Sequence, residues 1–173
     1  HTNKKLERIE PSENGSTLHF TDKTMVRARH VIAADGVWSN LRKTVLNDGP
    51  PRYSGYGAWL GHSNKPSPLE TAGEGCEFIG SRARLGVFET GDNQRYWFLV
   101  ANRTTPQSHA SAANPTDCLP FIADWPTHLQ DLVKSARPEQ TVYASFFERP
   151  VCKTWGAGPV TLIGDAMHPF VPN

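Results

Sequence analysis

The chain has 173 residues, 38% of them apolar and 20% charged, with a net charge of +1. That is an ordinary globular composition, slightly poor in core residues, and enough for one domain or for one domain with part of another. The balanced charge and the lack of a long basic run give no footing to a nucleic-acid or anionic-membrane partner. No apolar stretch approaches the roughly 20 residues of a membrane span, and no signal-peptide pattern is present. Fourteen glycines and fourteen prolines favour many short strands over a helix bundle. Cys76, Cys118 and Cys152 are odd in number and far apart. They fit reduced thiols in a cytoplasmic protein better than a disulfide frame or a zinc site, so no metal is expected. The chain starts at His1 rather than Met and stops at Pro172-Asn173, directly after a strand-and-turn signal. It is expected to be an internal fragment.

Residues 4–34 alternate between apolar and polar. Leu6 and Ile9 belong to a first strand, Leu18 and Phe20 to a second. Asn14-Gly15 predicts the hairpin between them, because both residues accept positive φ. Asp22-Lys23 makes the next turn. Met25 to Ala34 reads as one strand, and its continuously apolar end, Val31 to Ala34, predicts burial on both faces. Asp35-Gly36 ends it. Trp38, Leu41 and Val45 then recur at helical spacing over Val37–Leu46, with Ser39 as a cap. Asn47-Asp48-Gly49-Pro50-Pro51 stops the helix.

From Arg52 to Arg149 the texture changes. Strand-like runs stand at 53–61, 76–80, 83–90 and 95–103, separated by Gly, Pro, Asn and Asp, which predicts a meandering antiparallel sheet. Residues 104–114 read as a polar loop. Residues 116–136 have helical spacing interrupted by Pro120 and Pro126. Val142 to Glu148 is another strand. Trp155 to Pro159 is a turn before a buried strand, Val160 to Ile163, and then Gly164-Asp165. No internal repeat and no low-complexity tract occurs.

Two turns carry the chemistry. In VIAADGVWSNLR (31–42) a buried strand runs through Asp-Gly into a helix. Ligands of open α/β sheets collect at the carboxyl ends of strands, where helix N-termini and backbone N–H groups face the crevice. There the Asp35 carboxylate suits ribose hydroxyls or the orientation of a nearby Arg. Gly36 allows close backbone approach, and Arg42 offers a fork suited to phosphate. VTLIGDAMHPFVP (160–172) repeats the logic. Asp165 suits a sugar-alcohol hydroxyl, with Gly164 and Ala166 keeping the approach clear. A strand ending in Asp-Gly is by itself usually only a turn; the weight lies in the pair.

The pair resembles a known family. VIAADGVWSNLR is similar to the Asp-Gly motif of group A flavoprotein monooxygenases, the p-hydroxybenzoate and salicylate hydroxylase type, with Asp35, Gly36, Ser39 and Arg42 on the pattern. VTLIGDAMHPFVP is similar to the same family's Gly-Asp motif, with Gly164, Asp165, Ala166, His168 and Pro172 on it. Met167 departs from the usual Ala. The family's N-terminal GxGxxG is absent from these residues. The resemblance implies an α/β (α+β) chain: part of a Rossmann-like FAD-binding domain over 1–51, an inserted antiparallel substrate sheet over 52–150, and a return to the FAD domain over 151–173. It implies that Asp165 bonds the ribityl chain of FAD. Asp35 and Arg42 would lie near the pyrophosphate and the NAD(P)H path, and Pro172 against the reactive face of the flavin, with no other residue marked as catalytic. It implies NAD(P)H and O₂ as co-substrates, a small aromatic or conjugated substrate, and room for a homodimer of the full-length enzyme. Half the FAD cradle being absent, the 173-residue chain alone is expected to bind FAD weakly or not at all and not to turn over.

Other residues have a plainer reading beside a functional one. His168 reads as a structural residue rather than a general base. Tyr53, Tyr56, Trp59, Tyr96, Trp97 and Phe98 are candidates for an aromatic pocket, but strand alternation turns half of them away, and Trp97 reads as core. Arg82 and Arg84 suit a substrate carboxylate or are exposed strand arginines. Arg84 and Tyr96 are the substrate-side candidates. Trp125 and Trp155 read as packing residues. Two rivals stand beside hydroxylation: an epoxidase or halogenase of the same fold, and a non-catalytic dinucleotide-fold binding protein.

Overall fold

The computed structural model describes residues 1–65, 73–107 and 109–172. Ser108 in the predicted loop and Asn173 lie outside them. In chain order the strands are β1 (Leu6–Ser12), β2 (Gly15–Phe20), β3 (Met25–Ala28) and β4 (Val31–Ala33), followed by helix α1 (Asn40–Leu46). Then come β5 (Arg52–Ser63), β6 (Gly75–Ile79), β7 (Ala83–Gly91), β8 (Gln94–Asn102) and β9 (Ser111–Ala112). A 3-10 helix over Pro115–Ile122, helix α2 (Thr127–Lys134), β10 (Val142–Glu148), β11 (Gly156–Ala157) and β12 (Val160–Leu162) complete the order. The chain divides into two compact units, residues 1–52 with 147–173, and residues 53–146.

In the first unit β1, β2 and β3 form an antiparallel sheet, and β11, β12 and β4 form a second. β4 and β12 run parallel, with Val31, Ile32 and Ala33 opposite Val160, Thr161 and Leu162. Val31, Ala33, Val160 and Leu162 point into a core shared with Ile9, Leu41 and Met167. The hairpin differs from its prediction. Ser12 pairs with Gly15, so Glu13-Asn14 form the turn, and of the predicted pair only Gly15 has positive φ, at 141°. A Cβ there would sit 2.3 Å from the Ala28 carbonyl oxygen, which is why glycine is needed. Met25 to Ala34 is two strands rather than one, broken at Arg29-His30. Burial on both faces also fails: Ile32 is 68% exposed. Alternation sends Val31 and Ala33 to the covered face and Ile32 to the other.

In the second unit six strands lie in the order β6-β7-β8-β5-β10-β9. The predicted strands form with shifts of a residue or two, and β10 has its predicted bounds. Thr127–Lys134 is helical, but Pro115–Ile122 is a 3-10 helix with Pro120 inside it, because proline supplies no N–H for the α ladder. The loop over 104–114 contains the short strand β9. One sheet face is covered. Trp59, Leu85, Val87, Trp97, Leu99 and Tyr143 pack there against Cys118, Ile122, Leu129, Leu132 and Val133. Gly57 and Gly61 make room beneath two of the rings: a Cβ on Gly61 would meet the Trp97 indole at 2.8 Å, and one on Gly57 the Tyr143 hydroxyl at 2.4 Å. Arg103 lies over Trp59 and Tyr143 at 5.3 and 4.9 Å from their ring centroids.

Two outcomes check this packing. Trp97→Ala should cost about 3–5 kcal/mol in urea unfolding, since a full indole leaves a closed core. Ile32→Ala should stay within about 0.5 kcal/mol, since its side chain already faces outward. A Trp97→Ala cost no larger than that of Ile32→Ala contradicts the assignment of faces. Burial pushes the Cys118 thiol up to about 12. Because the thiolate is the reactive form, Cys118 should resist iodoacetamide at pH 8 while Cys76 and Cys152 alkylate first. Peptide mapping of partly labelled protein reads the order.

Candidate functional site

The two aspartate turns leave from the same end of adjacent parallel strands. Leu162 is paired with Ala33, and the Ile163 N–H donates to the Ala33 carbonyl at 3.0 Å, carrying the ladder to the edge of both turns. Gly36 and Gly164 take φ of +78° and +55°, the left-handed region that favours glycine, and a Cβ at either would meet nothing within 4 Å. The backbone conformation demands these glycines, and the space above them is open.

At the first turn the Asp35 carboxylate works as a helix cap. It accepts the Ser39 hydroxyl at 2.5 Å and the N–H groups of Asn40 and Leu41 at 3.0 and 3.3 Å. Ser39, the predicted cap, accepts the Arg42 N–H at 2.8 Å. A carboxylate here also opposes the positive end of the helix dipole. At the other end Asn47 takes the left-handed conformation and donates to the Lys43 carbonyl, which is how the predicted stop works.

Arg42 departs from its expected place. Its side chain is 1% exposed rather than presented as a phosphate fork. Nε donates to Asp48 at 2.5 Å, and Nη1 donates to the carbonyls of Ala166, at 3.1 Å, and Met167. A buried guanidinium needs such partners to offset its lost hydration, so its donors are turned inward. Asp48 also accepts from Arg149 at 3.3 Å, and Arg149 donates to the carbonyls of Val37, at 3.0 Å, and Gly49, at 2.6 Å. Burial lowers the Arg149 pKa, while Asp48 beside it acts the other way. Arg42 is therefore a positioning residue that joins α1 to the second turn. Asp48 and Arg149 were missed in the sequence. Asp48 read as part of a helix stop, and its spacing to Arg42 is not that of a helical ion pair.

The second turn is a 3-10 turn over Gly164–Ala166, closed by the N–H groups of Met167 and His168 donating to the Gly164 carbonyl, each at 2.9 Å. Ala166 and Met167 are buried, and Met167 fills the core beside Leu41 and Leu162, which accounts for its bulk where alanine is usual. Asp165 is exposed, and among the described residues its carboxylate accepts no hydrogen bond. His168 bonds through its backbone, as a structural residue, while its exposed ring lies 5.4 Å from that of Trp155. Trp155 is itself 51% exposed, less of a packing residue than predicted, whereas Trp125 packs on the core of the second unit. Pro172 is exposed and lies outside any helix or strand.

Within the second unit the aromatic candidates divide by strand alternation. Trp59 and Trp97 lie on the covered face. Tyr56, Tyr96 and Phe98 lie on the opposite, open face, together with Leu60, His62, Phe88 and Arg84. Phe88 and Phe98 lie over Gly75 and Gly86, where an added Cβ would meet the rings at 2.1 and 2.4 Å. Arg84 stands 5.6 Å from the Phe98 centroid, with Glu77 at 3.7 Å. Arg82 is exposed, with Asp124 at 3.6 Å. The Tyr53 hydroxyl donates to the Arg103 carbonyl at 2.9 Å, and burial, then Tyr143, raises its pKa to about 12. Among the described residues no group of three His, Cys, Asp or Glu side chains is placed to hold a metal, and no helix is long and apolar enough to cross a membrane.

Known proteins resemble this chain along almost its whole length. Aurachin C monooxygenase/isomerase of Stigmatella aurantiaca is 28% identical over 172 residues, 98% of this chain and 44% of that protein. FAD-dependent urate hydroxylase of Klebsiella oxytoca is 26% identical over 171 residues, again 98% and 44%. The crystal structure of Klebsiella pneumoniae HpxO with FAD and uric acid superposes with a TM-score of 0.86 at 27% identity, covering 98% of this chain and 44% of that one. The chain thus spans less than half the length of these relatives. Residues 4–173 match the FAD binding domain family. The resemblance carried by the two aspartate turns is upheld, and the chain belongs to that family.

Proposed function

We propose that the full-length protein is an FAD-dependent monooxygenase that uses NAD(P)H and O₂ to hydroxylate a small aromatic or conjugated molecule in the cytoplasm. The observation that carries the reading is the pair of glycine-bearing aspartate turns at the carboxyl ends of two adjacent parallel strands, where α/β sheets bind nucleotide cofactors. Two relatives named above are a monooxygenase/isomerase and a urate hydroxylase, which supports a ring-oxidising activity over a purely structural role. A homodimer is compatible with this reading.

The residues present fit FAD. Asp165 offers a carboxylate that has no hydrogen-bond partner among the described residues and stands beside open space, suited to a ribityl hydroxyl, and Gly164 and Ala166 leave the approach clear. Gly36 exposes backbone at the start of α1, suited to a pyrophosphate. Asp35 and Arg42 act one step back. Asp35 fixes the helix start, and Arg42 fixes the carbonyls that come after Asp165. Pro172 is assigned to the flavin's reactive side. Bound flavin supplies electron transfer from NAD(P)H and oxygen activation. The protein binds, orients and excludes water. Residues 53–146 supply the substrate side, through the open sheet face that carries Tyr96 and Arg84.

Asp165→Ala in the full-length protein should weaken FAD binding about 10–100-fold, the worth of a hydrogen bond to a charged group. Arg42→Met should lower stability by about 1–3 kcal/mol, since it leaves the carbonyls of Ala166 and Met167 without their donor and half-buried Asp48 with Arg149 alone, and FAD affinity should fall with it. Flavin fluorescence titration and urea unfolding measure the two. A full-length protein that purifies colourless, takes up no FAD and oxidises no NAD(P)H in the presence of aromatic acids would refute the proposed function.

A further inference from the structure

On the three-stranded sheet of the first unit, several charges are paired. Lys4 bonds Asp22, Lys23 lies 3.5 Å from Glu7, and Glu10 binds both Arg8 and His19. Arg27 and Arg29 stand outside this pattern. Both are exposed, and among the described residues neither makes an ion pair or a hydrogen bond. They line one cavity of about 460 Å³, together with Ser12, Asn14, Ser16 and Thr17. Ser16 adds a second anomaly. It is 3% exposed, and its hydroxyl is enclosed without a hydrogen-bond partner. Buried hydroxyls are normally paired, so an orphan in the wall of a cavity that also carries two free guanidiniums points to a missing acceptor.

The local fold builds this cavity. Thr17 stands opposite Arg27, and Ser16 opposite Ala28, in the β2–β3 ladder. Gly15 follows so closely that an added Cβ would lie 3.0 Å from the Arg29 Cα. Arg27 and Arg29 are two positions apart, at most about 7 Å along the chain, a span that two long side chains bridge onto one anion. A second cavity of about 750 Å³ adjoins the first. It shares Asn14 and Arg29 with it and adds Glu13, His30 and Pro159. Both volumes are in the range of small-molecule sites. Against the two guanidiniums stands one carboxylate, Glu13, so the balance favours a negatively charged ligand. Arg29 and His30 precede β4, whereas Asp35 follows it, so the cavity lies at the end of that strand away from the aspartate turns.

We propose that this cavity is a second binding site, for the phosphate group of a small molecule, held by Arg27 and Arg29 with the hydroxyls of Ser16 and Thr17. A guanidinium presents its donors in a planar fork that matches phosphate oxygens, and it keeps its charge at any physiological pH. The hydroxyls donate to the oxygens that remain. Free inorganic phosphate needs only the first cavity, while the adjoining one takes the rest of a phosphate ester. The site is separate from the flavin turns and does not rest on the monooxygenase reading.

The test uses the full-length protein in excess FAD, so that the flavin site is filled, at constant ionic strength. Isothermal titration calorimetry with inorganic phosphate, AMP and adenosine reads the binding. Phosphate or AMP should bind, and adenosine, which lacks the phosphate, should not. Arg27→Ala and Arg29→Ala should each weaken that binding about tenfold or more, as the loss of a charged hydrogen bond does, and Ser16→Ala about threefold. Arg29→Lys, which keeps the charge but not the fork, should retain part of it. Because both arginines are exposed, their Ala variants should keep the wild-type unfolding midpoint. AMP binding more tightly than phosphate identifies an ester as the ligand, and equal affinities identify the free anion; either supports the site. No binding of phosphate or AMP to the wild type, or binding that survives in both Ala variants, overturns it. Neither result bears on the monooxygenase reading, which fails separately if the protein takes up no FAD.

Discussion

The buried guanidinium of Arg42 is the interaction on which the candidate site depends. It leaves α1, reaches Asp48 beyond the end of that helix, and binds the carbonyls of Ala166 and Met167 more than 120 residues later in the chain. A charge taken out of water costs several kcal/mol unless its donors are matched. Asp48 and the two carbonyls supply that match, so the second turn cannot drift without stranding the charge. Arg149 binds the far side of Asp48 and fastens the loop after α1. The parallel pairing of β4 with β12 sets the two turns side by side, and the Arg42 network holds the second against the helix that starts at the first.

Around this clasp the aspartates divide their labour. Asp35 faces inward to α1 and is occupied by a hydroxyl and two backbone N–H groups. Asp165 has no such partners among the described residues. Two carboxylates in similar local sequences thus reach different ends, and the cause is the segment on the C-terminal side of each. After Asp35 comes a helix with Ser39 at its cap. Asp165 sits within a tight 3-10 turn, and the N–H groups that follow it close on Gly164 instead.

Much of this was legible in the sequence, for reasons that can be named. Every strand of the second unit that shows apolar alternation between turn residues formed, because period-two patterning and turn chemistry agree there. Ser39 was legible as a cap and Asn47 as a stop, since both act within a few residues. The division of the aromatic residues came from alternation alone. The illegible part is non-local. The burial of Arg42 depends on carbonyls at 166 and 167, and the Asp48–Arg149 contact joins residues 101 apart, so no window of sequence contains either. The break between β3 and β4 and the exposure of Ile32 depend likewise on which sheet each segment joins.

The central claim is that the turn at Asp165, as held by Arg42, is a flavin-contacting edge. A crystal structure of the full-length protein with FAD tests it most directly. The account predicts the Asp165 carboxylate within about 2.6–3.2 Å of a ribityl hydroxyl, with Arg42 still buried against the carbonyls of Ala166 and Met167. FAD bound away from Gly164-Asp165, or an Arg42 side chain swung out onto the cofactor phosphates, would contradict it.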